Sequence, residues 1–572
     1  VWTIPHPELT PMNEVSKKAG FQPFYSSTEK LNQKGLNTKG IEKLVQHLFF
    51  QHDIQTKEFL PEQIINEQEL ISRSEALKKI HRPNNEIDIK QARFRLKFEE
   101  LFFLQLEMLI RKGTRIQAIK GHVFEQSGEL LNEFYAHHLP FELTNAQKRV
   151  IKEIRKDFLK GHHMNRLLQG DVGSGKTLVA LIAMLIAVGN RFQACIMAPT
   201  EILANQHYET IRELVKDIDI KLALLTGSTK KAARIPLFAA LEKGEINLLI
   251  GTHALLEDPV QFHNLGFVVI DEQHRFGVAQ RGKMWRKNSI PPHILVMTAT
   301  PIPRTLAMTF YGDLDVSVID ELPPGRKPIS TIHRFDSHRL ALFGFMRKEI
   351  ALGRQIYIVY PLIKESEKLD FNNLMDGFEA ISRSFPMPEY QVSIVHGKMK
   401  PDTKEYEMQR FIKGETHIMV ATTVIEVGVN VPNASVMIIE SAERFGLAQL
   451  HQLRGRVGRG AEKSYCILMT GYELSKEAKK RMGTMVATSD GFEIAEVDLQ
   501  LRGPGDLMGT QQSGILELKI ADLSKDGEIV NSARETAKQL IENDPDLLLP
   551  AHQKLREKVI TLLKERPNWG TI

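Results

Sequence analysis

One loop constrains this chain more than any other stretch. Gly170-Asp171-Val172-Gly173-Ser174-Gly175-Lys176-Thr177 reads G-x-x-x-x-G-K-T between a short apolar run, 164–169, and a longer one, 178–188. The flanks predict a strand entering the loop and a buried helix leaving it. Gly170, Gly173 and Gly175 let the backbone curl until several N–H groups face one anion. The helix N-terminus adds its partial positive charge. Lys176 is then placed to reach β- and γ-phosphates, and the Thr177 hydroxyl to ligate Mg²⁺. A glycine-rich turn that binds nothing is the weaker reading of this spacing.

Around the loop the texture is that of an α/β protein. The 572 residues suggest about three or four domains. Predicted strands at 164–169, 193–198, 222–226, 247–251, 267–270 and 294–297 alternate with helices, which implies a parallel sheet covered on both faces. Pro323-Pro324-Gly325-Arg326-Lys327-Pro328 reads as a linker. A second run of strands follows at 355–360, 392–395, 417–421, 435–440 and 464–468. It has no G-x-x-x-x-G-K-T of its own, so it is expected to share one nucleotide with the first unit across a cleft. The expected organisation is a helical N-terminal region over 1–125, tandem parallel-sheet domains over 126–322 and 323–475, and an α-rich extension over 476–572. Functional residues belong at the carboxyl ends of the strands. Within 67–112, Arg93, Arg95 and Lys97 sit on a predicted helix and meet either phosphates or solvent.

Composition excludes several classes. The net charge is only +5, so any nucleic-acid surface is a local groove and not a global field. The two cysteines, Cys195 and Cys466, lie in apolar strand-like runs, which argues for a reducing, cytoplasmic setting and against a disulfide framework or a Cys-based zinc site. The run 178–188 is too short to span a bilayer, and no membrane association is expected.

Two further constellations carry chemistry. Phe267-Val268-Val269-Ile270-Asp271-Glu272-Gln273-His274 is an apolar strand ending in two carboxylates. Ionised acids at a buried strand end are costly without a cation, so this tip implies a metal. In phosphoryl hydrolysis the first acid holds Mg²⁺ and the second takes a proton from water. Arg454-Gly455-Arg456-Val457-Gly458-Arg459 puts three forks in six positions. Alone it reads equally as a solvated or nucleic-acid-binding loop; in a second α/β unit, arginines acting on the γ-phosphate become the better reading. The turns at Ala198-Pro199-Thr200, Gly251-Thr252-His253 and Thr298-Ala299-Thr300-Pro301 offer hydroxyls and N–H groups suited to phosphodiester oxygens, though singly each is a capped helix start.

The ordered set resembles the superfamily 2 helicase motors, built of two RecA-like domains. Residues 170–177, 271–278, 421–429, 443–449 and 502–514 narrow the resemblance to the bacterial RecG family of ATP-dependent DNA helicases. Such proteins translocate on duplex DNA, remodel stalled forks and branch-migrate Holliday junctions. The resemblance implies that Phe141, Thr144 and Gln147 contact adenine, that Lys176 and Thr177 hold phosphate and Mg²⁺, and that Asp271 and Glu272 are the metal-binding and general-base acids. It makes Arg456 and Arg459 the finger arginines, and Thr298 and Thr300 the coupling motif. Pro199, Thr200, Thr226, Gly227, Thr252 and Thr422 become strand-contacting positions, and Arg481, Arg502 and Gln512 a translocation element. That element levers DNA or, on the plainer reading, 503–514 is a tight connector with solvated arginines. ATP, branched double-stranded DNA and a single-strand-binding protein are the implied partners of a monomeric motor. Asn430 departs from the Asp of many relatives. Val1-Trp2-Thr3-Ile4-Pro5-His6-Pro7-Glu8 resembles the end of a fork-splitting wedge domain, most of which is expected to be absent. A transcription–repair coupling translocase, a nucleotide-gated DNA-binding scaffold and an RNA helicase remain the alternatives.

Overall fold

The computed structural model describes residues 21, 23–51, 56–139, 141–272, 284, 287–288, 290–299, 301–303, 306–307, 314–323, 327–361, 367–422, 431–458, 460, 463–502 and 518–565. These fall into two compact units: residues before 114 together with those after 507, and residues 114–507. Residues 1–8, Thr300, Asn430, Arg459, Gln512 and the loop 503–514, for which the sequence raises expectations, lie outside the described residues.

The N-terminal part of the described chain includes helices α1 (Thr38–Gln46), α2 (Arg73–His81) and the long α3 (Glu86–Ala118). The apolar positions of α3 fall at helical spacing and bury Phe98, Leu101, Phe102, Leu104 and Leu106. Arg95 fits neither expectation for this helix. It is fully buried, with Glu58 at 2.6 Å, Glu99 at 2.7 Å and the Ile71 carbonyl at 3.0 Å accepting from its guanidinium. Lys97 pairs with Asp526 at 2.7 Å. A buried charge persists only where such partners satisfy it. Arg93 is exposed, as a solvated helix face requires.

Residues 114–507 hold two sheets. The first runs β3-β4-β2-β5-β6-β1-β7, with β1 (Asn165–Gly170), β2 (Gln193–Met197), β3 (Leu222–Leu225), β4 (Leu248–Gly251), β5 (Leu265–Asp271), β6 (His293–Thr298) and β7 (Asp315–Ile319). Every pairing is parallel. Helices α4 (Asn145–Phe158), α5 (Lys176–Gly189), α6 (Glu201–Leu214) and α7 (Lys231–Glu242) cover it. Successive strand residues face opposite ways: Leu168 joins the core under α4 and α5, while Leu167 joins the core shared with Leu241 of α7. The α5 run is apolar all round because it is buried all round from Leu178 to Val188.

The second sheet runs β10-β11-β9-β12-β13-β8, also all parallel. Its strands are β8 (Ser330–Phe335), β9 (Gln355–Val359), β10 (Val392–Val395), β11 (Ile418–Ala421), β12 (Ala434–Ile439) and β13 (Tyr465–Thr470). Its helices are α8 (Arg339–Ala351), α9 (Glu367–Ser384), α10 (Pro401–Ile412) and α11 (Leu447–Arg454), followed by the hairpin α12 (Lys476–Ala487) and α13 (Gly491–Arg502). All the strands expected from apolar runs form. The two that escaped, β7 and β8, are edge strands: they are only partly buried and lack a continuous apolar run.

Two last helices, α14 (Gly527–Asn543) and α15 (Gln553–Glu565), belong with the N-terminal ones. The Glu100 carboxylate of α3 accepts from the backbone N–H groups of Lys519, Ile520 and Ala521 at 2.6–3.1 Å, pinning the chain just before α14.

Candidate nucleotide and strand-contact site

The phosphate loop connects β1 to α5, as its flanks require. Gly173 and Gly175 adopt φ of +80° and +84°, left-handed backbone that glycine tolerates at little cost. A Cβ on Gly175 would stand 2.3 Å from Gln147 Nε2. Gln147 is itself fully buried and committed: its Nε2 donates to the Ser174 carbonyl at 2.9 Å, and its Oε1 accepts from the Thr144 N–H at 2.9 Å. Thr144 returns the bond by accepting from the Gln147 N–H, a capping box at the start of α4. Within the segment expected to contact adenine, Gln147 braces the phosphate loop from beneath, while the Phe141 ring stays exposed. Lys176 is buried, and its ammonium donates to the Gly170 and Asp171 carbonyls at 2.7 and 2.8 Å. Thr177 follows it, half-buried, in the first turn of α5.

Across the sheet β5 ends in Asp271 and Glu272, both buried. Glu272 sits at φ +53°, a left-handed conformation that a side chain rarely adopts. Burial pushes the Asp271 carboxyl up, but His207 of α6, at 2.8 Å, and the Lys176 charge hold it below the usual carboxylate range. Glu272 goes the other way. Burial and the neighbouring Asp271 charge push it up to about 7, against the pull of Lys176, the Ala299 N–H and Arg456. Two adjacent acids thus have separated protonation behaviour, the arrangement an acid–base site needs. His207 was not read from the sequence; it lies inside a helix with no motif to mark it.

Arg456 follows α11 of the second sheet and is buried, close enough for its charge to act on Glu272. The sequence-predicted residues of the P-loop, the acid pair and the second-sheet arginine are brought together. Thr298 ends β6 beside them, and the Ala299 N–H points to Glu272 Oε2 at 3.5 Å.

The other candidates divide along the sheet. Pro199 and Thr200 follow β2, Thr226 and Gly227 follow β3, and Thr252 follows β4, all on the β3-β4-β2 side of the acid pair. Thr200 caps α6 by accepting from the Leu203 N–H, so its cap role is real. Thr226 lies in a hydroxyl cluster with Ser228 and Thr229. Thr252 and Thr422 occupy corresponding turns after β4 and β11, and each buries a hydroxyl that has no hydrogen-bond partner among the described residues.

Three family matches follow one another from residue 144 onward. Residues 144–309 match the DEAD/DEAH box helicase family, 341–461 the Helicase conserved C-terminal domain, and 488–572 the C-terminal part of domain 3 of the ATP-dependent DNA helicase RecG. The ATP-dependent DNA helicase RecG of Synechocystis sp. is 46% identical over 565 residues, which is 98% of this chain and 66% of that protein. RecG of Bacillus subtilis is 45% identical over 540 residues, 94% of this chain and 78% of that one. A solved structure of RecG bound to a three-way DNA junction matches with a TM-score of 0.67 and 42% identity, covering 89% of this chain and 66% of that one. This chain belongs to the RecG family of ATP-dependent DNA helicases. It spans about two thirds of the length of the Synechocystis relative and of the solved chain.

The hairpin α12–α13 carries two residues of the expected translocation element, Arg481 and Arg502. Arg502 does pair with Asp498, at 3.1 Å. Arg481 donates to the Glu443 and Phe445 carbonyls at 2.8 and 3.0 Å, and its charge also acts on Asp498. The guanidinium of Arg502 also lies against Gly446, where a Cβ would come within 1.7 Å of it. Both arginines therefore grip the turn 443–446 that leads into α11. Backbone carbonyls are always available acceptors, and no charge pattern in the sequence distinguishes them from a carboxylate.

Proposed function

We propose that this chain is an ATP-hydrolysing motor that translocates on double-stranded DNA and remodels branched DNA. The observation that carries the reading is the meeting, at Glu272, of the P-loop lysine, the strand-end acid pair and Arg456 from the second sheet. On this reading Lys176 draws charge off the β- and γ-phosphates, with Thr177 and Asp271 holding Mg²⁺. The site fits such a guest: the Ser174 hydroxyl is buried without a partner among the described residues, the Lys176 charge acts on two buried acids, and the loop turns through two positive-φ glycines. Magnesium in such sites takes only one or two protein ligands and fills the rest from phosphate and water. It would supply charge neutralisation on the phosphates. Glu272 takes the proton from the attacking water, and Arg456, with Arg459, stabilises the charge that develops on the transferred phosphoryl group. Thr298 and Thr300 pass the change to the second sheet. Phe141 and Thr144 flank the adenine.

Pro199, Thr200, Thr226, Gly227, Thr252 and Thr422 are assigned to DNA backbone oxygens, the two buried free hydroxyls being the best placed to accept such work. Arg481, Arg502 and Gln512 form the translocation element. The junction in the related solved complex supports branched duplex DNA as the substrate. A monomer working in the cytoplasm beside a single-strand-binding protein completes the reading. No helix among the described residues is long and apolar enough to cross a membrane.

The test is ATPase rate with single-stranded DNA, linear duplex, a three-way fork, a four-way junction and RNA. The reading expects the largest stimulation by fork and junction. Equal stimulation by RNA, or none by any nucleic acid, would overturn it.

A further inference from the structure

Asp171, the second residue of the phosphate loop, links the loop to the second sheet's elements. Lys176 takes the Asp171 carbonyl, and the Asp171 carboxylate instead faces the second sheet's elements. His451 Nε2, on α11, lies 3.2 Å from Asp171 Oδ1, and the N–H of Gly491, the first residue of α13, also donates to that carboxylate. His451 Nδ1 is 3.0 Å from Arg454 Nη2. An arginine only donates, so Nδ1 is the acceptor and Nε2 carries the proton that points at Asp171. One tautomer satisfies the whole chain of bonds.

Arg454 extends that chain. Its buried guanidinium donates to the carbonyls of Met485 at 3.1 Å, Thr488 at 2.9 Å and Ser489 at 3.1 Å, which close the turn between α12 and α13. At the other end of α11, Arg481 and Arg502 hold the turn 443–446. The hairpin is thus tied to α11 at both ends, and the two are built to move together. Backbone contacts leave no slack: a Cβ on Gly491 would lie 2.2 Å from Asp171 Oδ1 and 2.7 Å from His451 Nε2, and one on Gly455 would lie 2.8 Å from Val172 Cβ. Beside the contact opens a cavity of about 300 Å³, lined among others by Asp171, Glu321, Lys327, His451, Asp490 and Phe492. It gives the contact room to open without repacking a core.

We propose that Asp171, His451 and Gly491 form a clasp through which the state of the phosphate loop is transmitted to the α12–α13 hairpin, with His451 as its positioning residue. The inference rests on the motor reading and adds to it a specific route. Nucleotide phosphates act on the loop that carries Asp171, and whatever shifts that carboxylate shifts the donors bound to it. Those donors belong to α11 and α13. His451 touches no reacting atom; its work is to make hydrolysis count as movement. An element with two arrangements, biased by what one site holds, is the physical requirement for such coupling.

The experiment compares the wild-type chain with His451→Ala, Gly491→Ala and His451→Gln. The first deletes the donor, the second wedges the clasp while improving helix propensity at the start of α13, and the third keeps an N–H for Asp171. Junction DNA unwound per ATP hydrolysed is expected to fall about 10-fold in the two alanine variants, the scale of one hydrogen bond to an ionised carboxylate. The KM for ATP and the basal turnover stay within about 2-fold, and His451→Gln recovers part of the loss. An unchanged yield per ATP, or a KM that rises in step with the loss, would overturn the clasp. A second measurement needs no turnover: amide hydrogen exchange over 485–491, with and without a non-hydrolysable ATP analogue. Nucleotide should change exchange there in the wild type and not in His451→Ala; the same change in both refutes the clasp. Failure of the motor reading looks different, as a wild-type chain whose ATPase no DNA stimulates.

Discussion

The two sheets are built on one plan and finish it in opposite ways. Six strands correspond in order, β1 to β6 with β8 to β13. In both, the fifth strand of the plan ends in an acid followed by a residue with left-handed backbone: Asp271 and Glu272 at φ +53°, Glu440 and Ser441 at φ +47°. In both, the helix after the first strand opens with a cation, Lys176 in α5 and Arg339 in α8. The difference lies in what cation and acid do. Arg339 grips Glu440 through two bonds of 2.7 and 2.8 Å, whereas Lys176 spends its bonds on the loop's own carbonyls. The connection before α5 has five residues, 171–175, and curls through two positive-φ glycines; the one before α8 has three, 336–338, too short for a phosphate cradle. A strand-end acid is thus a structural bolt where its cation is locked to it, and a site where that cation is withheld for a guest. The second sheet stabilises; the first holds charge in readiness.

The sharpest way to break this comparison is to neutralise each acid. Glu272→Gln should lower turnover about 10²–10⁴-fold with ATP affinity retained, because only the proton acceptor is removed. It should also raise stability, by about 1–2 kcal/mol at pH 8. The sign follows from the carboxyl being pushed up to about 7. A raised acid favours the folded state fully below its unfolded value, and that advantage is lost as pH rises through 7, when the folded chain must ionise Glu272. Glu440→Gln should do the reverse, keeping turnover and lowering the melting temperature. Nucleotide binding, single-turnover rate and thermal melts decide it; a destabilised Glu272→Gln would mean that both acids are bolts.

The shared plan has its own test. Gln193 opens β2 and sends Nε2 to the Leu241 and Ile246 carbonyls at 3.0 and 2.8 Å; Gln355 opens β9 and does the same to Phe411 and Thr416 at 2.6 and 2.8 Å. Each staples a helix end and the following turn to its sheet. Removal takes a donor from two carbonyls, of which Leu241 and Phe411 keep the Gly244 and Gly414 N–H groups at 3.1 Å, so Gln193→Ala and Gln355→Ala should each cost about 2–3 kcal/mol in denaturant titrations. Costs that differ by several-fold would deny that the staples are equivalent.

The Arg339–Glu440 bolt comes next in size. Glu440 is buried but Arg339 is partly open to solvent, so Arg339→Met should cost about 2 kcal/mol, less than for a fully enclosed pair. In a double-mutant cycle with Glu440→Gln most of that cost should disappear, since the stranded charge is gone. Additive costs would show that the two side chains act separately.

These contrasts also mark what a sequence can disclose. The strands with unbroken apolar runs, the all-round apolar α5 and the G-x-x-x-x-G-K-T loop are local patterns, and local patterns are legible. So is the Asp271-Glu272 tip, because two acids after a buried strand need an explanation. The partners are not legible. His207 reaches Asp271 across 64 positions and His451 reaches Asp171 across 280, and no spacing rule spans such distances. Glu440 looks like any strand-end acid until Arg339 is seen on it, 101 positions away. Edge strands β7 and β8 hid for the opposite reason: half exposed, they have no need of the apolar run that marks a strand.

The smallest expected effect separates the sheets at their other ends. His293 opens β6 at the position that Tyr465 holds in β13. Tyr465 is half-buried, with the Lys463 ammonium 5.5 Å from its ring. His293 is fully buried: its Nδ1 accepts from the Met164 N–H at 2.9 Å, and its Nε2 donates to the His122 carbonyl at 2.8 Å. Burial holds its imidazole down at about 4, and His122 beside it is shifted the same way for the same reason. A depressed histidine gives stability that is complete above its unfolded value, near 6.5, and is lost as pH falls toward the folded one. Between pH 7 and pH 5.5 the first sheet should therefore lose about 1 kcal/mol through His293, a residue for which the second sheet has no counterpart at this position. His293→Gln keeps a donor and an acceptor but does not titrate, so it should flatten the pH dependence of the urea midpoint over that interval. Hydrogen exchange would locate the loss: β6 amides should open faster at pH 5.5, after correction for intrinsic rates, while those of β13 hold. An unchanged pH slope in His293→Gln, or equal opening of β6 and β13, would assign the acid sensitivity elsewhere and leave the two sheets alike at this end.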